Sequence, residues 1–499
     1  MHRVGIFLTI LMITCAAVWA EPGANFSQLP ADQQEKLREM TAPPPAPQRY
    51  GCYSIPMYFL MYNGFGYSGN ADRGPDGRTY VKGEPGPDYG HWKLDRNRPE
   101  WQEAMLKNWA ELGLNSTHLY LFPNASLTIS PDYIQALKDF VRLSRQYRLK
   151  ISVRIDPLGK GAWDVNPDNP QNKIDAYIDW VQRITAPLKG EVTYYILGDE
   201  LHLYDPAKGE APPQSWTTEG YLDYFKRISS AIKKGDPHAK VSMFSARNTG
   251  WSNVKQMLEH GYARYGDAVA MNYSDIPGLA TFFDDARKSA PDLAFISNGV
   301  GYRSYHEDEP CYPAGAPSEY PSQRAHGQAI AKNMFTWWDL GAASAPYYIN
   351  LRNWVMDGKV YPCWFGFMGF EDYVINQDKL TVKRYPGWYA YQTITHTFYN
   401  RDRFTKPSFD VSSSARLSML RAYEHQLPEG NELLLMLWND GGSQKTTIDL
   451  GSEAYRFAVR VDNFNYEKWS DVPYRMENHR VQIDLEVGAE PVILRLMKP

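Results

Sequence analysis

The feature that most constrains the fold of this 499-residue chain is a strand-then-helix alternation that repeats eight times. Because amphipathic helical segments separate the β-rich runs, consecutive strands must run parallel. Eight such strands close into an α/β fold of the (β/α)8 TIM-barrel type. A doubly wound open sheet is the competing fold, but it normally carries a glycine-rich phosphate turn after an early strand, and none occurs here. The predicted strands are 53–62, 117–122, 150–155, 192–197, 240–244, 268–271, 293–296 and 345–349.

The two ends of the chain differ from the barrel segment, which we place at 48–400. Residues 401–499 contain short alternating runs between turn residues, which predicts a C-terminal all-β sandwich. Residues 1–20 combine a basic start, an apolar run and Val18-Trp19-Ala20, the pattern of a cleaved signal peptide. That run is too short to span a bilayer. A Pro-rich lead follows at 21–47, and we expect a secreted or periplasmic protein.

Charge and aromatic content limit the classes of partner. The 53 basic and 57 acidic residues give a net charge of -4, without the basic excess of a nucleic-acid-binding or membrane-surface protein. Aromatic residues reach 14%, and such rings serve either as core or as platforms for sugar rings. There is no His-x-x-x-His pair, cysteine cluster or phosphate-binding glycine loop, so no metal or organic cofactor is predicted. We expect a carbohydrate substrate, no nucleic acid and no membrane insertion. The oligomeric state is not predicted.

The fourth predicted strand ends in two carboxylates. Its apolar run Tyr194-Tyr195-Ile196-Leu197 leads directly into Gly198-Asp199-Glu200. Adjacent carboxylates repel, and partial burial raises the pKa of one of them, which yields the neutral acid that a departing glycosidic oxygen requires. We therefore take Glu200 and Asp199 as candidate catalytic residues. The alternative is an ion pair with Arg154 or Arg247 on a neighbouring strand.

Polar residues also end most of the other predicted strands, at the edge where barrel enzymes place their chemistry. Any barrel has polar loops, so these positions are candidates for substrate binding rather than for a specific step. They are Arg154, Asp156, Asn248, Tyr273, Asn298, Tyr347 and Asn350.

An apolar fourth strand ending in Glu, in an eight-strand barrel followed by a β-sandwich, resembles the clan A glycoside hydrolases. The eighth repeat, Tyr347 to Arg352, is similar to the aromatic eighth strand of that clan. The resemblance implies that Glu200 is the general acid/base. Two positions depart from the pattern, because the clan usually has Asn where this chain has Asp199, and Asn298 stands where the clan has its nucleophilic Glu.

The missing nucleophile leaves three alternatives open. A loop carboxylate, Glu307, Glu309 or Glu371, could take the role, although each is more typical of a solvated charge. Gly198-Asp199-Glu200 also resembles the Gly-Asp-Glu of family 20 hexosaminidases, which implies that Asp199 orients a 2-acetamido group and that Tyr273 could bind its oxygen. The third alternative is a catalytically inactive barrel that binds carbohydrate.

Overall fold

The computed structural model describes residues 25–42, 61–66, 72–73, 79–80, 99–121, 123, 127, 129, 131–157, 174–199, 201, 203–204, 216–246, 251–271, 276–297, 323–344, 348–349, 351–356, 358–362, 369–376, 379–428 and 430–498. The chain divides into two compact units. One contains residues 43–402 with 463–466, and the other contains residues 1–42 with 403–462 and 467–499. No helix in the described part of the chain has the length and apolarity that a bilayer crossing requires.

The first unit contains one sheet of eight strands whose pairings are all parallel. The strands follow one another around the sheet in chain order, and the eighth lies beside the first. Before the eighth strand, the Ala343 amide donates to the Phe295 carbonyl of the seventh at 2.7 Å, so the sheet closes. The predicted (β/α)8 barrel is confirmed. Its strands are β1 Met61–Gly66, β2 Ser116–Leu121, β3 Lys150–Ile155, β4 Val192–Leu197, β5 Val241–Ser242, β6 Ala268–Met271, β7 Ala294–Ser297 and β8 Tyr348–Ile349.

Helices follow the strands because their apolar residues recur at helical spacing. In the helix Ile174–Thr185, for example, Ile174, Tyr177, Val181 and Ile184 are all buried on one face. The helices of this unit are α2 Pro99–Glu111, α3 Pro131–Gln146, α4 Ile174–Thr185, α5 Thr218–Gly235, α6 Trp251–Glu259, α7 Ile276–Ser289, α8 Gln323–Asp339 and α9 Pro386–Thr397, and α1 Ala31–Thr41 precedes them in the other unit.

Strand β5 is shorter than the predicted run 240–244, and helix tyrosines explain the difference. The Met243 amide donates to the Tyr262 hydroxyl at 2.7 Å, and the Phe244 amide donates to the Tyr221 hydroxyl at 2.7 Å. These amides therefore bond side chains instead of the neighbouring strands. Buried backbone amides require hydrogen-bond acceptors, and here the hydroxyls of the two tyrosines provide them.

The barrel interior is divided between an apolar and a polar part. Tyr194, Ile196, Ala268, Ala270 and Ile296 form one packed cluster. The adjacent strands β2 and β3 instead carry His118, Ser152 and Arg154 on the face that continues from Ile196, as the strand register shows. This polar half leads towards the carboxyl end of the strands.

A four-stranded sheet that the sequence analysis did not predict follows the barrel. It contains β9 Leu351–Met356, β10 Lys359–Pro362, β11 Glu371–Asn376 and β12 Lys379–Arg384. The predicted eighth repeat thus splits, because Tyr348–Ile349 pairs with the barrel whereas the residues from Leu351 onwards join this sheet. The sequence pattern predicts that these residues form strands, but it does not show which of the two sheets each strand joins.

The other unit contains the predicted β-sandwich. Its strands are β13 Phe404–Thr405, β14 Val411–Ser413, β15 Met419–Leu427, β16 Gly430–Trp438, β17 Gln444–Leu450, β18 Arg456–Asp462, β19 Asn465–Asp471, β20 Tyr474–Glu477, β21 Arg480–Val487 and β22 Val492–Met497. They form one sheet in the order β13-β15-β16-β22-β18-β19 and another in the order β14-β17-β21-β20. Alternating residues of the two sheets, such as Leu435 and Ile483, form the core between them.

The N-terminal residues belong to this sandwich unit. Phe26 is 3% exposed and packs in a cluster with Phe457, Val459 and Met497. The Ser27 amide donates to the Asp471 carboxylate at 3.1 Å. Residues 25–42, which the sequence shows only as a Pro-rich lead, therefore contribute a helix and core side chains.

Candidate functional site

The turn after β4 places Asp199 at the carboxyl end of the barrel. Gly198 adopts φ +103°, and a Cβ at this position would lie 2.9 Å from the Leu201 Cδ1. Only glycine adopts this backbone conformation without strain, so the residue before Asp199 determines the direction of the turn. The Gly198 carbonyl then accepts from the Ser245 amide at 3.3 Å, which ties the turn to the end of β5.

Arg154 joins two carboxylates at this edge. Its Nη1 donates to Asp199 Oδ2 at 2.5 Å, and its Nε and Nη2 donate to the two oxygens of Asp156 at 2.8 and 3.2 Å. The Arg154 side chain is only 11% exposed, so water screens these pairs less than it screens surface pairs. Asp199 thus forms the ion pair with Arg154 that the sequence analysis named, whereas Arg247 lies outside the described residues.

Ser245 is a further member of the site that the sequence analysis missed. Its hydroxyl donates to Asp199 Oδ1 at 2.5 Å, and the residue is fully buried. Both oxygens of Asp199 therefore accept a hydrogen bond from the chain itself. A serine directly after a predicted strand carries no distinctive signal, so only its register against Asp199 reveals it.

His118 lies on β2, within the electrostatic influence of Arg154. It is fully buried, and burial, with a smaller contribution from the Arg154 charge, holds the pKa of His118 well below its ordinary value of 6.5. His118 is therefore neutral at neutral pH. The charges of this cluster are those of Arg154, Asp156 and Asp199, which sum to one negative charge.

Tyrosines of the helix layer hold the ends of the strands that carry these residues. The Tyr221 hydroxyl donates to the Leu197 carbonyl at 2.6 Å, directly before Gly198, and the Tyr177 hydroxyl donates to the Asp156 carbonyl at 2.8 Å. Both tyrosines are fully buried, and burial raises the pKa of each hydroxyl well above its ordinary value of 10. Both hydroxyls therefore remain donors at any working pH.

The structure thus brings together Arg154, Asp156 and Asp199 from the predicted set. Glu371, a candidate nucleophile that we expected in a loop, is instead fully buried in β11 and accepts from Asn108 at 2.7 Å and from Tyr373 at 2.9 Å. Its carboxylate holds helix α2 to the extra sheet. The candidates that lie outside the described residues are Glu200, Asn248, Tyr273, Asn298, Glu307, Glu309, Tyr347 and Asn350.

Metal ligation finds no support among the side chains that the structure describes, since no three His, Cys, Asp or Glu residues there are grouped as a metal site requires. The described cluster can hold one carboxylate, that of Asp199, in a fixed orientation. Arg154 and Ser245 supply the donors for this, and the φ of Gly198 supplies the direction.

Comparison with known proteins gives similarity of fold. No protein-family model matches the sequence, and no curated protein matches it. A conserved exported protein from Bacteroides fragilis superposes with a TM-score of 0.50 at 10% identity, over 89% of this chain and 98% of that chain. A glucosidase from Croceicoccus marinus gives a TM-score of 0.49 at 11% identity, over 89% of this chain and 99% of that chain. A family 51 alpha-L-arabinofuranosidase from Bifidobacterium longum gives 0.47 at 12% identity, over 89% and 96%. The solved structures similar to this chain thus include glycoside hydrolases, and the similarity at these identities is one of fold.

Proposed function

We propose that this chain is a glycoside hydrolase that cleaves O-glycosidic bonds in a polysaccharide or glycan, with Glu200 as the general acid/base. The observation that carries the proposal is the fixed carboxylate at the end of β4: Asp199, held by Arg154 and Ser245 at the catalytic end of a (β/α)8 barrel. Barrel enzymes build their sites from such strand ends, and Glu200 is the next residue of the chain.

The bonds of Asp199 support a division of roles between the two adjacent carboxylates. A general acid must deliver a proton to the glycosidic oxygen, whereas both oxygens of Asp199 accept hydrogen bonds from Arg154 and Ser245. We therefore assign proton donation to Glu200 and orientation to Asp199.

The same bonds bear on the choice among mechanisms. Under substrate assistance, Asp199 would have to orient a 2-acetamido group, and a carboxylate oxygen can accept more than one hydrogen bond, so the bonds to Arg154 and Ser245 are compatible with that role. The alternative is a second carboxylate, acting either as nucleophile or as base for water. Glu371 is unsuitable because it is buried and bonded, so Glu307 and Glu309 are the candidates that we retain.

The remaining parts of the proposal come from the sequence. We propose export through the signal at residues 1–20, and contacts to the sugar from the strand-end residues Asn248, Tyr273, Asn298, Tyr347 and Asn350. Arg154 and Asp156 would act at the margin of the same site, since Arg154 bonds both Asp156 and Asp199.

The test is turnover of a panel of polysaccharides and aryl glycosides, with and without 2-acetamido groups. Glu200→Gln should lower the rate by about 10²–10⁴ on substrates with poor leaving groups while sugar binding is retained. Glu191→Gln is the matched control, because Glu191 precedes β4 at the opposite end of the same strand and pairs with Arg145 at 2.8 Å. Its turnover should equal that of the wild type.

The second candidate function is carbohydrate binding without cleavage. The ion pair of Asp199 with Arg154 favours it, because a carboxylate bonded in this way also occurs as a purely structural element. Wild type and Glu200→Gln would then bind glycans equally and turn over none of the panel. That result would contradict the hydrolase proposal.

A further inference from the structure

The end of β5 carries two hydroxyl contacts to the strand that bears Asp199. The Ser245 hydroxyl bonds the Asp199 carboxylate at 2.5 Å. One residue earlier, the Phe244 amide donates to the Tyr221 hydroxyl at 2.7 Å, and that hydroxyl donates to the Leu197 carbonyl at 2.6 Å. The Tyr221 hydroxyl, from helix α5, therefore bridges the chain ends of β4 and β5 immediately before the turn that carries Asp199.

The Tyr221 bridge sets the distance between β4 and β5 at the point where the turn begins. An inserted hydroxyl spaces the β4 carbonyl and the β5 amide more widely than a direct bond would, because each of its two bonds has a normal length. Tyr221 is fully buried, with its ring 4.8 Å from that of Phe244 in an edge contact, so the position of the hydroxyl is itself fixed by packing. The strand spacing below Gly198 thus depends on one side chain.

We propose that Tyr221 and Ser245 are positioning residues for the carboxylates at the end of β4: Tyr221 sets the strand spacing, and Ser245 orients Asp199 and thereby the residue that follows it. This inference rests on the proposed hydrolase function. Neither side chain has to touch the substrate, because both act through the backbone and carboxylate of 197–199.

The chain offers a matched control for Tyr221. Tyr262 is also fully buried, and its hydroxyl accepts from the Met243 amide at 2.7 Å and donates to the Ala268 carbonyl at 2.6 Å. The Tyr262 hydroxyl thus bridges β5 and β6 in the same way as the Tyr221 hydroxyl bridges β4 and β5. Removing either hydroxyl deletes two bonds of the same kind, so the two variants should lose similar stability.

The experiment compares Tyr221→Phe, Tyr262→Phe, Ser245→Ala and Ser245→Thr for melting temperature, kcat and KM on the best substrate of the panel. Tyr221→Phe and Ser245→Ala should lower kcat by about tenfold to a hundredfold with little change in KM, because misplacing a catalytic group costs rate rather than binding. Tyr262→Phe should lose as much melting temperature as Tyr221→Phe and keep its kcat. Ser245→Thr keeps the hydroxyl and should recover most of the lost rate.

The outcomes separate the two proposals. A wild-type kcat in Ser245→Ala, or an equal kcat loss in Tyr221→Phe and Tyr262→Phe, would overturn the positioning roles while the Glu200→Gln result still supported hydrolysis. An inert wild type would instead overturn the hydrolase proposal, and the positioning roles with it.

Discussion

The β-sandwich contains a buried charge cluster whose removal should be costly. Glu432 is fully buried, and it accepts from Arg495 Nη2 at 3.3 Å and contacts His425 Nδ1 at 2.7 Å. Arg495 is 4% exposed, donates to the Thr41 carbonyl at 3.2 Å and lies over the Trp469 ring at 5.3 Å. The cluster therefore also holds the end of helix α1 to the sandwich.

Glu432→Gln keeps the size of the side chain and removes its charge. Arg495 then remains buried without a counter-ion, and breaking a buried pair in this way costs about 3–5 kcal/mol. Because the Thr41 carbonyl and the Trp469 ring remain beside the guanidinium, we expect the low end of that range, about 3 kcal/mol, in the free energy of unfolding.

Urea unfolding of the full chain, followed by tryptophan fluorescence, measures this loss. The control is Glu490→Gln, since Glu490 and Arg460 form a pair at 3.7 Å with side chains 33% and 39% exposed. Such a surface pair should contribute less than about 1 kcal/mol. In Glu432→Gln/Arg495→Met both charges are removed, so most of the stability should return. Equal losses in Glu432→Gln and Glu490→Gln would refute the argument that burial makes this cluster costly to break.

Two further predictions concern a buried histidine and the N-terminal segment. Burial lowers the folded pKa of His118 below 6.5, so the unfolded chain takes up the proton first as the pH falls. The free energy of unfolding should then decrease below that pH by up to about 1.4 kcal/mol per pH unit, and urea unfolding of His118→Gln should show a shallower dependence than the wild type. An unchanged dependence would count against a neutral His118. Phe26→Ala should cost about 3–5 kcal/mol in the same assay, because the ring is 3% exposed and lies 5.4 Å from that of Trp469. A loss under about 1 kcal/mol would mean that the N-terminal segment is dispensable for the sandwich.

Much of the barrel could be predicted because its elements have local causes. The strands 150–155, 192–197 and 268–271 occur within the predicted bounds, since each is an apolar run between polar segments. The apolar period predicts a helix over 221–234, whereas helix α5 begins three residues earlier, because the Thr217 side chain accepts from the Gly220 amide at 3.0 Å and caps it. Such differences at the ends of helices arise because the ends depend on side-chain contacts, which the hydrophobic period of the sequence does not reveal.

Other errors arose where partners are distant in sequence. Glu371 has the flanking residues of a loop carboxylate, yet its main partner Asn108 lies 263 residues earlier in the chain. In the extra sheet that contains it, β9 pairs directly with β11 in parallel although β10 comes between them in the chain, an arrangement that short β-rich runs do not specify. The burial of the Glu371 carboxylate is therefore decided by tertiary packing and not by the local sequence.

The sequence by itself determined the barrel, the sandwich and the position of Asp199 at the end of the fourth strand, because hydrophobic periodicity and turn residues act over short distances. Only the tertiary structure decided what surrounds Asp199. Arg154 and Ser245 lie 45 and 46 residues away in the chain, on the two strands that flank β4. Whether they meet the carboxylate depends on strand register and on the tyrosine between β4 and β5, since a shift of one residue would turn each side chain to the opposite face of the sheet.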